Sequence, residues 1–177
     1  MTRVVGIDPS LTATGLAVVG NGVALASCVK IRPANLRGHE RMDAIREVVL
    51  DTVDKAGLVV IEGPSYGSSA GQAGHHERAG LWWLLTRLLW QADIPYAVMS
   101  PSGLKKYITG KGNADKDSVL AAVVRRYGEH VVIDNNNAAD AFALAAAGAD
   151  HLGEAIEPMP ETHRAALAKV DWPEERL

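Results

Sequence analysis

The sequence contains a single cysteine, Cys28, among 177 residues. One thiol excludes an internal disulfide framework and any zinc site that needs several cysteines. The chain also lacks a run of about 18 apolar residues, the length that a membrane span needs, and it lacks a basic N-terminal flank followed by a cleavable apolar segment. We therefore expect a soluble, intracellular protein in which any metal is bound by oxygen ligands.

Charge of either sign is not in large excess, since the formal net charge is -3. This overall value argues against a nucleic-acid partner, but the charge is unevenly spread. Residues 150–177 carry seven acidic and three basic side chains, whereas basic side chains outnumber acidic ones between residues 105 and 126. The basic region predicts either a phosphate-binding surface or an ordinary solvated helix face.

The length of 177 residues and the hydrophobic content of 47% fit one ordinary domain. We place this domain at residues 1–150 and describe residues 151–177 as an acidic C-terminal tail. The tail contains Pro158, Pro160 and Pro173, and we expect it to pack loosely or to extend.

Strand and helix signals are both present along the chain, which predicts an α/β fold. Asn21-Gly22 supplies a hairpin turn between the second and third strands, and Asp134 is placed to cap the last long helix. The predicted strands lie at about 3–8, 14–19, 23–31, at a run that ends at 62, and at 94–99; the predicted helices lie at about 36–55, 75–91, 101–108, 114–127 and 134–149.

Three carboxylates stand at unusual places in this pattern. Asp8 ends the first apolar strand, Glu62 ends a later one, and Asp140 lies among alanines in the last helix. A lone charge in such surroundings is expensive unless it is paired or binds a metal. Each alone also fits a plain role: a strand-end turn, a surface acid and a helix salt bridge. Together they predict a divalent-metal site. The alanines around Asp140 are small, so the last helix can come close to the sheet at this site.

Four stretches of sequence carry a resemblance to a known family. They are Gly6-Ile7-Asp8-Pro9 with Gly15, then Ile61-Glu62, then the basic segment from Lys105 to Lys116, and finally Asn137-Ala138-Ala139-Asp140-Ala141. These resemble the three acidic motifs and the basic loop of the RuvC-type Holliday junction resolvases, and the similarity covers about residues 3–150. The resemblance implies a ribonuclease-H-like fold, in which a mixed five-stranded sheet is flanked by helices.

The resemblance also implies an activity. It implies a Mg²⁺-dependent, structure-selective endonuclease that cleaves four-way (Holliday) or branched DNA by paired nicks from a homodimer, in a bacterial cell or a phage-infected host. Each active site is expected to hold two Mg²⁺ ions, with Mn²⁺ as a substitute, on the ligands Asp8, Glu62, Asn137 and Asp140. The implied catalytic residues are Asp8, Glu62, Asp140, Lys111 and Lys116, and the implied DNA contacts are Ser65, Tyr66, Lys105, Lys106, Lys111, Asn113 and Lys116.

One residue departs from the family pattern inside its last motif. The family usually has an acidic or histidine ligand three residues before the final aspartate, where this chain has Asn137. Residues three apart share a helix face, so Asn137 can still offer a neutral carbonyl oxygen. Whether Asp134 or a water compensates for the lost charge is left open, although capping is the better role for Asp134. The tail beyond residue 150 also lies outside the resemblance.

Aromatic residues suggest two further roles. Tyr66 is the nearest match to the aromatic residue that the family inserts into the junction, and Ser65 stands where some relatives have Phe. A stacked base is worth about 1–3 kcal/mol; a tyrosine that closes the loop over the core is the alternative. Trp82, Trp83 and Trp90 on the helix at 75–91 belong either to the core or to a dimer interface, and the resemblance favours the interface.

Two other function classes compete with cleavage. The first is a junction-binding protein that does not cut because its metal site is weakened at Asn137. The second is a sugar-kinase-like or chaperone-like ATPase, since Asp8, Thr12, Thr14 and Gly15 resemble a phosphate-binding turn of that superfamily. The chain is too short for the second lobe of such an ATPase and lacks a second turn of this kind.

Overall fold

The computed structural model describes residues 1–20, 23–30, 35–64 and 74–174. Five strands form one mixed sheet in the order β3-β2-β1-β4-β5. The first three strands are an antiparallel meander, whereas β4 runs parallel to β1 and β5 parallel to β4. The strands are β1 Val4–Asp8, β2 Ala13–Gly20, β3 Val23–Lys30, β4 Leu58–Glu62 and β5 Tyr96–Met99.

Helices cover both faces of the sheet, as parallel strands require. They are α1 Gly38–Val53, α2 His75–Gln91, α3 Pro101–Thr109, α4 Lys116–Tyr127, α5 Asn136–His151 and the short α6 Glu161–Arg164, which is followed by a 3₁₀ turn at Leu167–Lys169. Within the described residues, none of these helices has the length and apolar character needed to cross a membrane.

The alternation of side chains along the central strands sets up two separate cores. Val5 and Ile7 of β1 face α1 and α2, where they pack against Ile45 and Leu85. Val4 faces the other side, in the core formed with α3, α4 and α5. Because successive side chains of a strand point to opposite faces, the last residue of β1 points toward the α5 side.

The helix α5 packs directly on the backbone of the sheet. Every residue of α5 from 138 to 150 is buried. A Cβ at Gly6 of β1 would collide with the carbonyl oxygen of Ala141, and a Cβ at Gly15 of β2 would collide with that of Asn137. Glycine at these two strand positions therefore allows the close approach that brings α5 to the end of the sheet.

Most element bounds agree with the sequence predictions, and α2 agrees at both ends. The N-cap of α5 differs. Asn135, not Asp134, accepts the N–H of Ala138 at 2.9 Å, while the Asp134 carboxylate accepts a bond from Asn135 Nδ2 at 2.6 Å. The prediction that Asp134 caps this helix is therefore wrong by one residue. The predicted turn at Asn21-Gly22 lies outside the described residues.

The C-terminal segment is folded against the domain, so the expectation of a loosely packed or extended tail is wrong. Arg164 Nε donates to both carboxylate oxygens of Asp150 at 3.0 and 3.1 Å. The ring of Trp172 stacks on His151 with 4.0 Å between centroids. Prolines end helices but do not prevent packing, and this segment buries Met159, Ala166 and Leu167. The division of the chain at residue 150 stays a prediction.

Candidate active site

Asp8 and Glu62 lie at the carboxyl ends of two neighbouring parallel strands. The register of β1 and β4 pairs Ile7 with Ile61, so the residue that follows each of them stands beside the other. Both side chains point to the α5 face of the sheet by the two-residue alternation. Asp140 reaches this edge from the middle of α5, and the structure therefore brings the three predicted carboxylates together.

The turn after Asp8 is held by two hydroxyl groups. Thr14 is only 1% exposed, and its Oγ1 donates to the carbonyl oxygen of Ser10 at 2.7 Å. The Ser10 Oγ accepts the N–H of Ala13 at 3.3 Å. Serine and threonine in such turns satisfy the backbone locally, which fixes the chain direction immediately after Asp8. A hydroxyl that stabilises this turn is a sufficient role for Thr14, with no bound nucleotide required.

Glu62 is supported from the other face of the sheet by a residue whose role the sequence reasoning missed. Trp82 Nε1 of α2 donates to the backbone carbonyl oxygen of Glu62 at 3.0 Å. The N–H of Gly63 donates to the carbonyl oxygen of Met99 at 2.8 Å, which continues the β4–β5 pairing past Glu62. Helical spacing from the buried Leu81 and Leu85 was the available signal, because it places Trp82 at the border of the sheet-facing side.

The three carboxyls resist ionisation because they are buried near one another. Burial and the charge of Asp140 raise the pKa of Asp8 to about 6, against a hydrogen bond with Glu62 and the charge of Lys116, which lower it. Burial and the charges of Asp8 and Asp140 raise the pKa of Glu62 to about 8. Burial raises the pKa of Asp140, and Lys116 and Lys105 partly offset it. Full ionisation of the three acids would place more negative charge at the site than Lys116 and Lys105 carry.

This edge offers hard oxygen donors of the kind that divalent ions prefer. As the side chains stand, no group of three or more His, Cys, Asp or Glu in the described part of the chain is arranged to hold a metal ion. The burial and the raised pKa values of Asp8, Glu62 and Asp140 nevertheless fit a site that a cation would stabilise.

Asn137 lies one helical turn before Asp140 and ties α5 to β2. Its Nδ2 donates to the backbone carbonyl oxygen of Ala13 at 2.9 Å. The amide nitrogen is thus used within the fold, and a metal bound by Asn137 would take Oδ1, the acceptor atom of this side chain. Sequence reasoning placed Asn137 on the correct helix face but did not foresee this bond.

The predicted DNA-contacting residues fall into separate places. The charges of Lys116 and Lys105 lower the pKa of Asp140. Lys106 lines a hollow of about 400 Å³ that begins at Gly63. Lys111 and Asn113 line a different groove, along α4. Ser65 and Tyr66 lie outside the described residues.

The three tryptophans of α2 separate into two groups. Trp82 is half-buried and packs on the core, so a place in a dimer interface does not suit it. Trp83 and Trp90 are 68% and 72% exposed. Seven residues apart, they share one face of the helix.

The strand order and the helices on both faces define a protein of the ribonuclease-H-like class. A Thermus thermophilus RuvC structure aligns with a TM-score of 0.66 at 24% identity, over 88% of this chain and 99% of that one. A second T. thermophilus RuvC structure, in complex with Holliday junction substrate, also aligns with a TM-score of 0.66, at 23% identity over 89% of this chain and all of that chain. The fold class predicted from the sequence is confirmed.

Sequence comparison assigns the family. Residues 4–148 match the model of the family described as crossover junction endodeoxyribonuclease RuvC. The protein of that name from Nocardia farcinica is 33% identical over 150 residues, which are 81% of this chain and 78% of that one; the one from Salinibacter ruber is 30% identical over 151 residues, 80% and 82% of the two chains. The chain belongs to the crossover junction endodeoxyribonuclease RuvC family. This confirms the resemblance to the RuvC-type resolvases and the predicted enzyme class, a crossover junction endodeoxyribonuclease.

Proposed function

We propose that this chain is a Mg²⁺-dependent endonuclease that cleaves four-way or branched DNA by paired nicks from a homodimer, in the cytoplasm of a bacterial cell or a phage-infected host. The observation that carries the proposal is the meeting of Asp8, Glu62 and Asp140 at one edge of the sheet, beside Lys116. Family membership supports the choice of a branched DNA substrate.

The donor set fits divalent ions with a preference for oxygen. Asp8, Glu62 and Asp140 would hold two Mg²⁺ ions, or Mn²⁺ in their place, and the Oδ1 of Asn137 is the fourth proposed ligand. Bound there, the ions would activate a water and stabilise the oxygen that leaves the phosphate. Burial keeps the carboxylates in a low-dielectric site, where their interaction with cations is stronger than in water.

The basic residues are proposed to hold the DNA backbone. Lys116 lies close enough to lower the pKa of all three carboxyls, so it is placed to contact the scissile phosphate and to offset charge that develops during cleavage. Lys111 is proposed to act on a flanking phosphate. Lys105, Lys106 and Asn113 would position further phosphates without reading base sequence.

The loop after Glu62 is proposed to reach the junction centre. Tyr66 follows Glu62 by four residues, and its aromatic ring would stack on an unpaired base of the junction. Ser65 would contact the adjacent backbone. Specificity would then come from the shape of the junction and from stacking, since neither needs a particular base sequence.

The exposed face of α2 that bears Trp83 and Trp90 is the proposed dimer interface. A four-way junction has near two-fold symmetry, and cuts in two opposing strands require two sites at a fixed spacing, which a two-fold dimer supplies. The two rings would each bury a large apolar area in such a contact.

One alternative keeps junction binding and removes cleavage. It is favoured by the bond from Asn137 to Ala13, which gives Asn137 a structural role, and by its neutral amide, which would hold the second ion more weakly than a carboxylate. The experiment is to incubate a labelled four-way junction and a matched duplex with the protein, with and without Mg²⁺. Paired nicks in the junction alone, only with Mg²⁺, are expected. Junction binding without nicking would support the alternative instead.

Substitution of the acids tests the site. Asp8→Asn, Glu62→Gln and Asp140→Asn are each expected to abolish cleavage, because each removes a metal ligand that stabilises the transition state, while junction binding is kept. Cleavage and gel-shift assays on the same preparations check this. Glu47→Gln on the exposed surface of α1 is the matched control and should cleave normally. Wild-type rates in any of the three acid variants would remove that residue from the site.

A further inference from the structure

A groove of about 760 Å³ runs along the outer face of α4, away from the three acids. Small side chains form its floor, namely those of Ser118, Ala121 and Ala122. The α3–α4 loop closes one end, and the last turn of α4 forms the other. The spacing of these residues places them on one face of the helix, so the groove follows the helix axis.

The walls of this groove carry positive charge. Lys111, Arg125 and Arg126 line it, and within the described residues the side chains of Lys111 and Arg125 make no ion pair. Arg126 is held in place because its Nη1 donates to the carbonyl oxygen of Pro158 at 2.8 Å. The one acid, Asp115, accepts the N–H of Ser118 at 2.7 Å as the N-cap of α4. A polyanion would therefore meet a net attraction there.

The C-terminal segment completes the groove. His163 lines it, and its Nδ1 lies 2.9 Å from the carbonyl oxygen of Tyr107. Because a carbonyl only accepts, Nδ1 is the donor, and this bond fixes the ring against Gly110. Both His163 and Pro158 lie beyond residue 148, where the family match ends. This wall is thus supplied by a part of the chain to which the family model does not extend.

The length of the groove suits a DNA backbone. Arg125 stands ten residues after Asp115, which corresponds to about 15 Å along the axis of α4. Successive phosphates of one strand advance about 3.4 Å along B-DNA, so the groove spans about four base-pair steps. One end of the groove includes Asp115, the residue that precedes Lys116, whose charge lowers the pKa of the carboxyls, and the groove runs from there to the last turn of α4.

We propose that this groove binds the phosphate backbone of the duplex arm that leaves the cleavage site, through Arg125 and Arg126, with the C-terminal segment as its outer wall. The proposal rests on the proposed function, since only a branched DNA substrate presents such an arm. It extends the contact with DNA beyond the loop at Lys111 by about four base pairs.

Arg125→Gln is the first test, because Arg125 is exposed and its loss should not disturb the fold. Junction affinity is measured with Ca²⁺ in place of Mg²⁺ over a range of salt concentrations. Loss of one phosphate contact should reduce the slope of log affinity against log salt by about 1 and weaken binding roughly eightfold at about 0.1 M salt. Lys55→Gln is the control. It removes one charge just before the N-terminal end of β4, at the end of the strand opposite Glu62, and should change neither the salt slope nor the affinity.

Neutral methylphosphonates in the DNA are the second test. Placed at the third to fifth phosphates from the cut, they should weaken wild-type binding by a similar factor and leave Arg125→Gln unchanged. Two results would overturn the proposed role of the groove and leave the proposed function standing. One is that Arg125→Gln binds the junction as tightly as the wild type does. The other is that the neutral linkages weaken binding equally in the two proteins. A wild-type protein that binds the junction but never cleaves it overturns the proposed nuclease alone, because the binding readouts still test the groove. Failure of the wild type to bind any junction overturns both.

Discussion

Asp8 and Glu62 share a hydrogen bond at the end of the sheet, and both have a raised pKa. A buried acid of this kind keeps its proton in the folded state at a pH where the unfolded chain has lost it. The stability that this group contributes is then fully present below the ordinary pKa of a carboxyl group and is lost as the pH rises through the folded pKa. For this pair the loss extends from about pH 4 to about pH 8.

The metal-free protein is therefore expected to lose thermal stability as the pH is raised across that range in EDTA. Each group contributes a slope of at most about 1.4 kcal/mol per pH unit. Glu62→Gln should flatten the curve, and Mg²⁺ should restore stability at about pH 8 because it binds the ionised form. Thermal melts followed by circular dichroism measure this. Identical pH curves for the wild type and Glu62→Gln would contradict a shared proton at this site.

At the level of elements, the contact between α5 and the sheet positions Asp140. This contact depends on strand glycines, because the carbonyl oxygens of Ala141 and Asn137 occupy the space that a side chain at Gly6 or Gly15 would need. A methyl group at either strand position must push α5 outward, and the displacement would move Asp140 away from Asp8.

Gly15→Ala is expected to destabilise the protein by about 1–3 kcal/mol or more, because the backbone of α5 has little freedom to move. Cleavage should fall further than stability explains, since Asp140 is displaced. Gly80→Ala in α2 is a matched control, because its Cβ would meet only Met42 Cε at 3.8 Å. Alanine there should raise the free energy of unfolding by about 0.5–1 kcal/mol. Urea unfolding compares them, and a neutral Gly15→Ala would show that α5 adapts.

Local signals in the sequence were sufficient for most of the elements. The apolar runs that end at Asp8 and Glu62 predicted β1 and β4, and the spacing of leucines predicted α2 at both ends. The cap of α5 was wrong by one residue, because Asp134 and Asn135 are both good caps and their order does not distinguish them. The C-terminal segment was misjudged because its packing depends on Arg164 meeting the buried Asp150, a tertiary contact with no local signature.

The candidate site was predictable to a similar extent. Asp8, Glu62 and Asp140 could be named because carboxylates in apolar surroundings are rare. From the sequence, Trp82 could be assigned only to an apolar stripe on α2. Its bond to the backbone carbonyl oxygen of Glu62 could not be predicted, because it joins two different elements of the fold. The groove along α4 was not foreseen for the same reason: one of its walls comes from residues some forty positions away, after a turn that the sequence does not reveal.

For the whole molecule, the exposed tryptophans of α2 determine the expected assembly. Trp90→Glu should shift the protein toward the monomer, because a charge would be buried at the proposed interface. Sedimentation at micromolar concentration measures the shift. Val132→Glu is the control, since Val132 is an exposed apolar residue elsewhere and its replacement should leave the dimer intact. A wild-type protein that sediments as a monomer would contradict the symmetric paired cut.

The position of α5 across β1, β2 and β4 also governs how the protein acquires its structure during synthesis. The bond from Asn137 to Ala13 joins residues 124 positions apart, and contacts of such separation are typical of slow folding. On the ribosome, the first strands emerge long before the helix that covers them, and α5 cannot cover its face of the sheet until residue 151 has been made. A nascent chain that ends before α5 holds Asp8 and Glu62 without Asp140. With the proposed site, nuclease activity consequently cannot arise before α5 has been synthesised.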